Sequence, residues 1–328
     1  MRLENATPYA ARLLQTELAE HAVRGVVVVK ATFIWNEHGQ PCPAPEQVPI
    51  IDTALPTHFG IFHTDLFLEK HGVDLCVLGT LRRSRPQRLT HVCIRAGSYA
   101  HQLSVFGDRR WLRTAAGLVA SEPKPFTEMP LSYARAYGGS TCHDYETATF
   151  PYNPLGIGYY LSAQAAEGQV LPNIEASACL IRSWQDQPEP AGCAPYPFYW
   201  GLGAVQGIQL PTSRAPKQPS TRDVRVLPRL YNQAHPALVL PAFDERQRIE
   251  VTGLLDHTLS IQLPRFAPEL DLCVGSSWSS LGGALDGIYI WADSGHLTLT
   301  HRIHFQYALR KEEPRFARLR DSTSGKAN

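Results

Sequence analysis

Glycine and proline recur along the whole chain, and this distribution limits the possible folds more than any other feature of the sequence. The chain contains 24 glycines and 26 prolines, which are spread throughout instead of being pooled in linkers. Both residues disfavour the interior of a helix, so few stretches are suited to a long helix. The sequence therefore favours short segments that end in turns.

Several of these segments have the composition of β-strands. Residues 26–35 contain four consecutive valines followed by further β-branched and aromatic residues, which favour strands. Residues 287–305 predict a hairpin, because the turn sequence Asp-Ser-Gly separates two apolar runs. In the second run, alternation places one set of residues on a single face: Leu297, Leu299, His301, Ile303 and Phe305. Further strands are predicted at residues 74–81, 89–95, 99–106, 249–255 and 259–263.

Helical patterns are short. The apolar residues of segment 10–20 have a helix-like spacing, and residues 161–167 and 221–232 are compatible with one or two turns. Residues 121–220 are rich in proline, glycine, tyrosine and asparagine and predict long ordered loops. We therefore predict a mainly β protein with antiparallel, β-sandwich-like sheets, long ordered loops and a few short helices.

The predicted domain organisation is simple. We expect a single β-rich domain over residues 1–310, with two packed β subdomains, 1–120 and 121–310, as the alternative. A charged tail over residues 311–328 follows, and we expect it to be partly frayed.

The charge and the cysteine pattern exclude several classes of function. The formal net charge is +1, so a nucleic-acid binder would need arginines clustered on one face, and we predict no nucleic-acid partner. No apolar run approaches the roughly 20 residues that span a bilayer, so we expect no membrane insertion. The seven cysteines are scattered, and the first residues lack the pattern of a signal peptide. We expect a cytoplasmic protein with free thiols.

Motifs of metal and cofactor sites are missing from the sequence. The best group of possible metal ligands lacks the spacing typical of a metal site, and it comprises His58, His63, Asp65, Glu69 and His71. We therefore predict no metal and no cofactor.

Two carboxylates suggest an enzymatic alternative. Glu128 and Glu175 lie in the aromatic-rich middle third, and glycoside hydrolysis uses such a pair. Buried carboxylates are more often paired with arginines, here for example Arg135, in a structural role. We therefore predict no catalytic residue and keep a carbohydrate-active β-sandwich hydrolase that uses Glu128 and Glu175 as the alternative.

An ordered set of motifs in the middle third resembles a known bacterial family. The motifs are residues 125–139, 153–159, 171–175 and 190–192. Residues 5–8, 26–33, 105–111 and the final hairpin agree with them. In this order they resemble the family called domain of unknown function 2169, and the likeness spans roughly residues 5–305.

The resemblance implies a role in type VI secretion. Members of that family act as adaptors or chaperones that hold a toxic protein effector in the cytoplasm. They help to load it onto the spike, which is either the valine-glycine repeat trimer or its proline-alanine-alanine-arginine repeat tip. Catalysis is not implied. The resemblance also favours a strand over the first segment, residues 9–16, and we adopt the strand. The chain departs from the family pattern at residues 199–219, where an Ala-Gly-Thr-Tyr-Asp string is missing.

The motif residues have two possible roles, a structural network or a client-binding surface. They are Glu128, Tyr133, Arg135, Gly138, Gly139, Asn153, Pro154, Gly156, Asn173 and Glu175. The Asn-Pro and Gly-Gly pairs are typical of turns, and Glu128, Arg135 and Glu175 would form a charge network beneath the tyrosines. We favour the structural role, because paired buried charges fix geometry more often than they carry affinity. Exposed aromatic residues would then bind the partner, and the candidates are Trp184, Tyr196, Phe198, Tyr199 and Trp200.

Overall fold

The structure is a computed structural model that describes residues 1–18, 21–35, 40–143, 146–197, 231–241, 243–308 and 315–322. Its regular structure is almost entirely β, which confirms the predicted fold class. The strands are, in chain order, β1 (Arg2–Asn5), β2 (Ala10–Leu18), β3 (Ala22–Trp35), β4 (Pro41–Pro43), β5 (Leu55–Pro56), β6 (Ile61–Phe62), β7 (Val73–Leu78), β8 (Thr80–Gln87), β9 (Leu89–Ala96), β10 (Tyr99–Phe106), β11 (Trp111–Thr114), β12 (Gly117–Ala120), β13 (Phe126–Pro130), β14 (Tyr137–Gly138), β15 (Ser140–His143), β16 (Glu146–Thr149), β17 (Ile157–Gly158), β18 (Ile174–Ala176), β19 (Val239–Leu240), β20 (Arg248–Thr252), β21 (Leu259–Gln262), β22 (Pro268–Val274), β23 (Ser277–Gly282), β24 (Ala284–Trp291), β25 (His296–Ala308) and β26 (Arg315–Asp321).

The helices of the described residues are single turns. The α-helix α1 (Ala163–Ala166) lies within the predicted segment 161–167, and the side chain of Ser162 caps it by accepting a hydrogen bond from the backbone N–H of Ala165. Two 3-10 helices cover Tyr133–Arg135 and Pro236–Leu238. Among the described residues, no helix has the length and apolar character that crossing a membrane requires.

Three sheets carry most of the strands. The largest has the order β19-β7-β24-β25-β3-β2, with β4 also paired to β3. The second has the order β18-β10-β9-β20-β21, and the third β1-β26-β22-β23. Neighbouring strands in these sheets are antiparallel except for the parallel pairs β7/β24 and β1/β26. The remaining strands form two-stranded sheets in the connections.

One large apolar core joins the three sheets. Val27 of the seven-stranded sheet, Ile94 of the five-stranded sheet and Leu319 of the four-stranded sheet all belong to it and are at most 1% exposed. A second, smaller core contains Trp111 and Tyr137. Both cores draw on residues before and after residue 120, so that boundary does not separate two cores.

The predicted hairpin is present, and both faces of its second strand are buried in the centre of the sheet. β24 and β25 pair as expected, and the apolar face of β25 is buried. The opposite face is buried as well, because residues 47–70 cover it. The guanidinium of Arg302 on that face donates to the backbone carbonyl oxygens of Asp65 and Phe67, both at 2.8 Å. The seven-stranded sheet is therefore covered on both sides of its centre.

The first segment is a strand, as the family resemblance implied. Ala10–Leu18 pairs antiparallel with β3 along its full length, so the helical interpretation of its apolar spacing is wrong. β2 lies at the edge of the sheet and is only half-buried, with an irregular pattern. An edge strand of this kind need not show the strict alternation of a strand with one buried face.

Part of the predicted charged tail belongs to the fold. β26 lies between β1 and β22, and its residues Ala317 and Leu319 are completely buried. Residues 315–321 of this tail, which we expected to be partly frayed, form a strand, because alternating small and apolar residues among the arginines bury one face. Residues 323–328 lie outside the described residues, as does the predicted helix over 221–232 apart from its last two residues.

Candidate functional site

Asn153 lies at the centre of the motif residues and joins the loops between β13 and β18. It is completely buried. Its side-chain Nδ2 donates to the backbone carbonyl oxygens of Tyr133, at 2.8 Å, and Tyr137, at 3.0 Å. Its own backbone carbonyl accepts from the N–H groups of Gly139, at 2.8 Å, and Gly156, at 3.2 Å. One residue thus fixes two loop segments against each other.

The motif glycines allow backbone segments to approach more closely than a side chain would permit. Gly138 has φ +146°, and a Cβ there would lie 2.2 Å from the backbone oxygen of Asn153. Gly139 has φ +92°, and its Cβ would lie 2.3 Å from the backbone oxygen of Gly156. Half-buried Pro154 completes the turn beside Asn153. These positions require glycine for both conformation and space.

Glu175 forms a buried ion pair with Arg109. The exposed fractions of the two side chains are 2% and 6%. Arg109 also donates to the backbone oxygen of Pro172, at 2.6 Å, and stacks on the ring of Phe106. The second carboxylate oxygen of Glu175 accepts from the backbone N–H of Ile181, at 2.8 Å. Both oxygens of Glu175 are therefore engaged in structural contacts.

The predicted charge network of Glu128, Arg135 and Glu175 is wrong. Arg135 donates to the side chain of Asn173, at 3.1 Å, instead of to a carboxylate. Glu128 forms an ion pair with Arg82, at 3.3 Å, and more than half of each side chain is exposed.

Strand pairing explains these partners. Glu128 lies directly opposite Arg82 in the register of β13 and β8. Glu175 lies on β18, which pairs with β10, and Arg109 follows β10 closely in the chain. Glu128 is thus exposed on the two-stranded sheet of β8 and β13, whereas Glu175 is buried on β18 of the five-stranded sheet. The two side chains therefore do not form the paired carboxylates of an open cleft that the hydrolase alternative requires.

Asp65, one of the candidate metal ligands, forms a structural ion pair. Asp65 pairs with Lys30, at 2.8 Å, in a buried position, and its carboxylate accepts from the backbone N–H of Ile51. Within the described part of the chain, no group of three or more histidine, cysteine or acidic side chains is placed to hold a metal ion.

Further buried ion pairs lie near Asp65. Lys70 pairs with Asp74, at 2.9 Å, and Arg302 pairs with Asp286. The Lys30–Asp65 and Lys70–Asp74 pairs hold residues 47–70 on the sheet, and the Arg302–Asp286 pair joins β25 to β24 beneath them.

The predicted aromatic binding surface is only partly described. Tyr196 is 8% exposed and packs edge-on against Tyr133 and His235, so its prediction as an exposed residue is wrong. It is buried because residues 190–197 run through the interior, where the backbone oxygen of Cys193 accepts from the N–H of Val77, at 2.7 Å. Trp184 is half-buried against the smaller core. Phe198, Tyr199 and Trp200 lie outside the described residues, as does the divergent segment 199–219.

The motif turn carries two exposed residues that sequence reasoning missed. Tyr152 is 41% exposed and Leu155 is 55% exposed, on either side of buried Asn153. The ring of Tyr152 packs against Phe150, with centroids 5.7 Å apart, and Phe150 in turn packs against Tyr159. An apolar residue inside an Asn-Pro-Leu-Gly turn was the available signal, because turns lie on the surface.

Two buried histidines lie side by side beneath the segment 190–197. The rings of His101 and His235 are 4.5 Å apart, and each residue is 7% exposed. His101 contacts the backbone oxygen of Gly192 through Nε2, and His235 Nδ1 accepts from the N–H of Ala237. Burial, reinforced by the neighbouring His101, lowers the pKa of His235 to about 3. Burial also lowers the pKa of His101.

We expect these histidines to make the protein sensitive to acid. The unfolded chain binds protons near the ordinary histidine pKa of about 6.5, whereas the folded state binds them only at lower pH. The stability is therefore fully present above about pH 6.5 and is lost as the pH falls towards the folded pKa values. Each buried histidine contributes a loss of up to about 1.4 kcal/mol per pH unit.

Urea unfolding at a series of pH values measures this loss. We expect a shallower decline for His235→Gln than for the wild type, and an unchanged decline for the exposed control His257→Gln. An identical decline in the wild type and in His235→Gln contradicts the prediction.

One of three comparisons with known proteins finds a match for the chain. No curated protein and no solved structure matches the chain. The model of a family described as an uncharacterized protein conserved in bacteria, domain of unknown function 2169, matches residues 20–302. This range contains the buried motif network, its exposed turn and most of the final hairpin. The chain therefore belongs to the domain of unknown function 2169 family.

Proposed function

We propose that this protein is an effector adaptor or chaperone of type VI secretion. It binds a toxic protein effector in the cytoplasm and helps to load it onto the spike or its tip, and it performs no catalysis. The family membership and the function that the sequence resemblance implies support this proposal. One observation carries it further: the motif residues are mostly buried and bonded to one another, and the turn that they hold presents Tyr152 and Leu155 to solvent.

A rigid apolar turn is well suited to binding another protein. Interface hot spots are enriched in aromatic residues, and most of their energy comes from a few side chains that become fully desolvated. The turn is held by the contacts of Asn153, so little conformational entropy is lost when a partner covers it. We infer that the effector contacts Tyr152 and Leu155, while the buried motif residues position the turn.

We expect the double variant Tyr152→Ser/Leu155→Ser to lose its effector. Tagged wild-type protein, recovered from the native cytoplasm, is expected to carry a toxin-like protein or a spike component that mass spectrometry identifies. Affinity for that recovered effector should fall by about tenfold or more in the double variant, because two exposed contacts are removed. A thermal unfolding curve like that of the wild type shows that the fold is intact.

The matched control is Leu112→Ser. Leu112 is 48% exposed on β11 and is not part of the motif turn, so the variant should retain wild-type affinity. Retention of the effector by Tyr152→Ser/Leu155→Ser would show that another surface binds it. Recovery of neither an effector nor a spike component would overturn the adaptor proposal itself.

A further inference from the structure

The outer face of the four-stranded sheet carries an exposed aromatic pair. Trp278 on β23 is 64% exposed, and Phe316 on β26 is 37% exposed. Their ring centroids are 6.2 Å apart in an edge-on arrangement, and Cys273 of β22 lies between them in the register. Arg2 on β1 continues the same row. An exposed tryptophan beside a second aromatic ring marks a candidate protein interface.

The two central strands of this face carry charges of opposite sign. β22 presents the carboxylates of Glu269 and Asp271, and the neighbouring β26 presents the guanidinium groups of Arg318 and Arg320. Arg320 contacts both of these carboxylates, and the distance to Asp271 is 2.9 Å. One central strand is thus acidic and the other basic. A face with this pattern is complementary to a copy of itself that is turned by half a rotation.

We propose that a second copy of this chain packs on this face, about a twofold axis that runs parallel to the strands between β22 and β26. Such an axis places β22 of one copy over β26 of the other. Asp271 then faces the partner's Arg318, and Glu269 faces the partner's Arg320. The aromatic row is matched as well, because Trp278 comes to lie over the partner's Arg2, which permits a cation–π contact.

The surroundings of the Arg2 side chain support this arrangement. Arg318 pairs with Glu4 of β1, at 3.4 Å, and Arg320 pairs with the acidic residues of β22. Arg2 has no ion-pair partner among the described residues, although it lies in the row of exposed rings. The proposed dimer gives this cation the face of Trp278.

The area of this face indicates how strongly the two copies should associate. Four strands and about six residues along each give roughly 400 Å² per copy, from strand spacings of about 4.8 Å and rises of about 3.3 Å. Specific interfaces usually bury about 800 Å² per partner, so the dimer is weak and reversible. Sedimentation velocity over a hundredfold range of protein concentration should show a weight-average coefficient that rises with concentration.

Charge reversal tests the axis and the partner together. Arg318→Glu alone places a carboxylate opposite Asp271 of the other copy, and Asp271→Arg alone places a guanidinium opposite the partner's Arg318, so each variant dimer would contain two like-charge contacts. Each variant should therefore stay monomeric, whereas an equimolar mixture of the two should associate about as strongly as the wild type. Trp278→Ser should weaken association by about tenfold or more.

The variant Tyr152→Ser/Leu155→Ser is the matched control and should associate like the wild type. A wild type that remains monomeric at every concentration overturns the proposal. The same holds for a mixture that associates no better than the single variants. If the wild type stays monomeric and Trp278→Ser fails to recover the effector, the face binds the effector instead of a second copy, and the dimer proposal falls.

Discussion

Replacement of Glu175 by alanine should destabilise the protein by about 3–5 kcal/mol, because it leaves the guanidinium of Arg109 buried without a counter-charge. Removing one partner of a buried pair costs far more than the pair contributes, since the remaining charge keeps its desolvation penalty. The substitution also removes the acceptor of the Ile181 N–H. Urea unfolding followed by circular dichroism measures the loss as a shift of the midpoint.

Glu128→Ala is the matched control. Its ion pair with Arg82 is more than half exposed on both sides, so solvent already screens it, and we expect a change within about 0.5 kcal/mol. A catalytic pair would respond differently, with both substitutions removing activity at a small cost in stability. Equal stability losses for Glu175→Ala and Glu128→Ala would show that the buried pair does not have the structural role assigned to it.

Local patterns in the sequence predicted those parts of the fold that depend on local contacts. The turn residues and the strand alternation of the β24–β25 hairpin lie within one short segment. The hairpin could therefore be predicted from that segment alone. The burial of its second face depends on residues 47–70, which are distant in sequence and reach the sheet through ion pairs. Nothing in the alternation of β25 indicates that Arg302 is 3% exposed. The alternation therefore assigned Arg302 to a face of the strand but did not predict the burial of that face.

An edge strand and a charged strand were the hardest segments to assign. Apolar spacing in Ala10–Leu18 fitted a helix, and only the family resemblance favoured the strand that the structure contains. β26 was not predicted as a strand, because its arginines indicated a charged, partly frayed tail, although the strand buries two small or apolar residues. Edge and charged strands receive part of their stability from neighbouring strands that a single segment does not reveal.

The candidate site was predictable in its turns but not in its partners. The turn chemistry of Asn153 and of the glycine pair indicated tight loops, and the structure places these residues in such loops. The partner of Glu175 was missed because it is fixed by the pairing of β10 with β18, which brings Arg109 to the carboxylate. The exposure of Tyr152 and Trp278 depends likewise on what packs nearby, which only the assembled sheets determine.

Gly138→Ala should be at least as damaging as the loss of Glu175, with a destabilisation of about 4 kcal/mol or more. The new Cβ would lie 2.2 Å from the backbone oxygen of Asn153. This oxygen cannot move away without cost, because it accepts from the N–H groups of Gly139 and Gly156. Relief of the clash would therefore break the hydrogen bonds that hold the turn.

Gly117→Ala separates this clash from backbone strain. Gly117 also has a positive φ, +114°, but no atom lies within 4 Å of its added Cβ. Backbone strain alone should destabilise Gly117→Ala, by about 1–2 kcal/mol in the same urea unfolding measurement. The difference between the two variants measures how tightly the turn is packed against Asn153. Equal losses of stability in the two variants would mean that the turn shifts to accommodate the new Cβ at little cost. The exposed residues beside Asn153 would then lack the rigid support on which effector binding is proposed to depend.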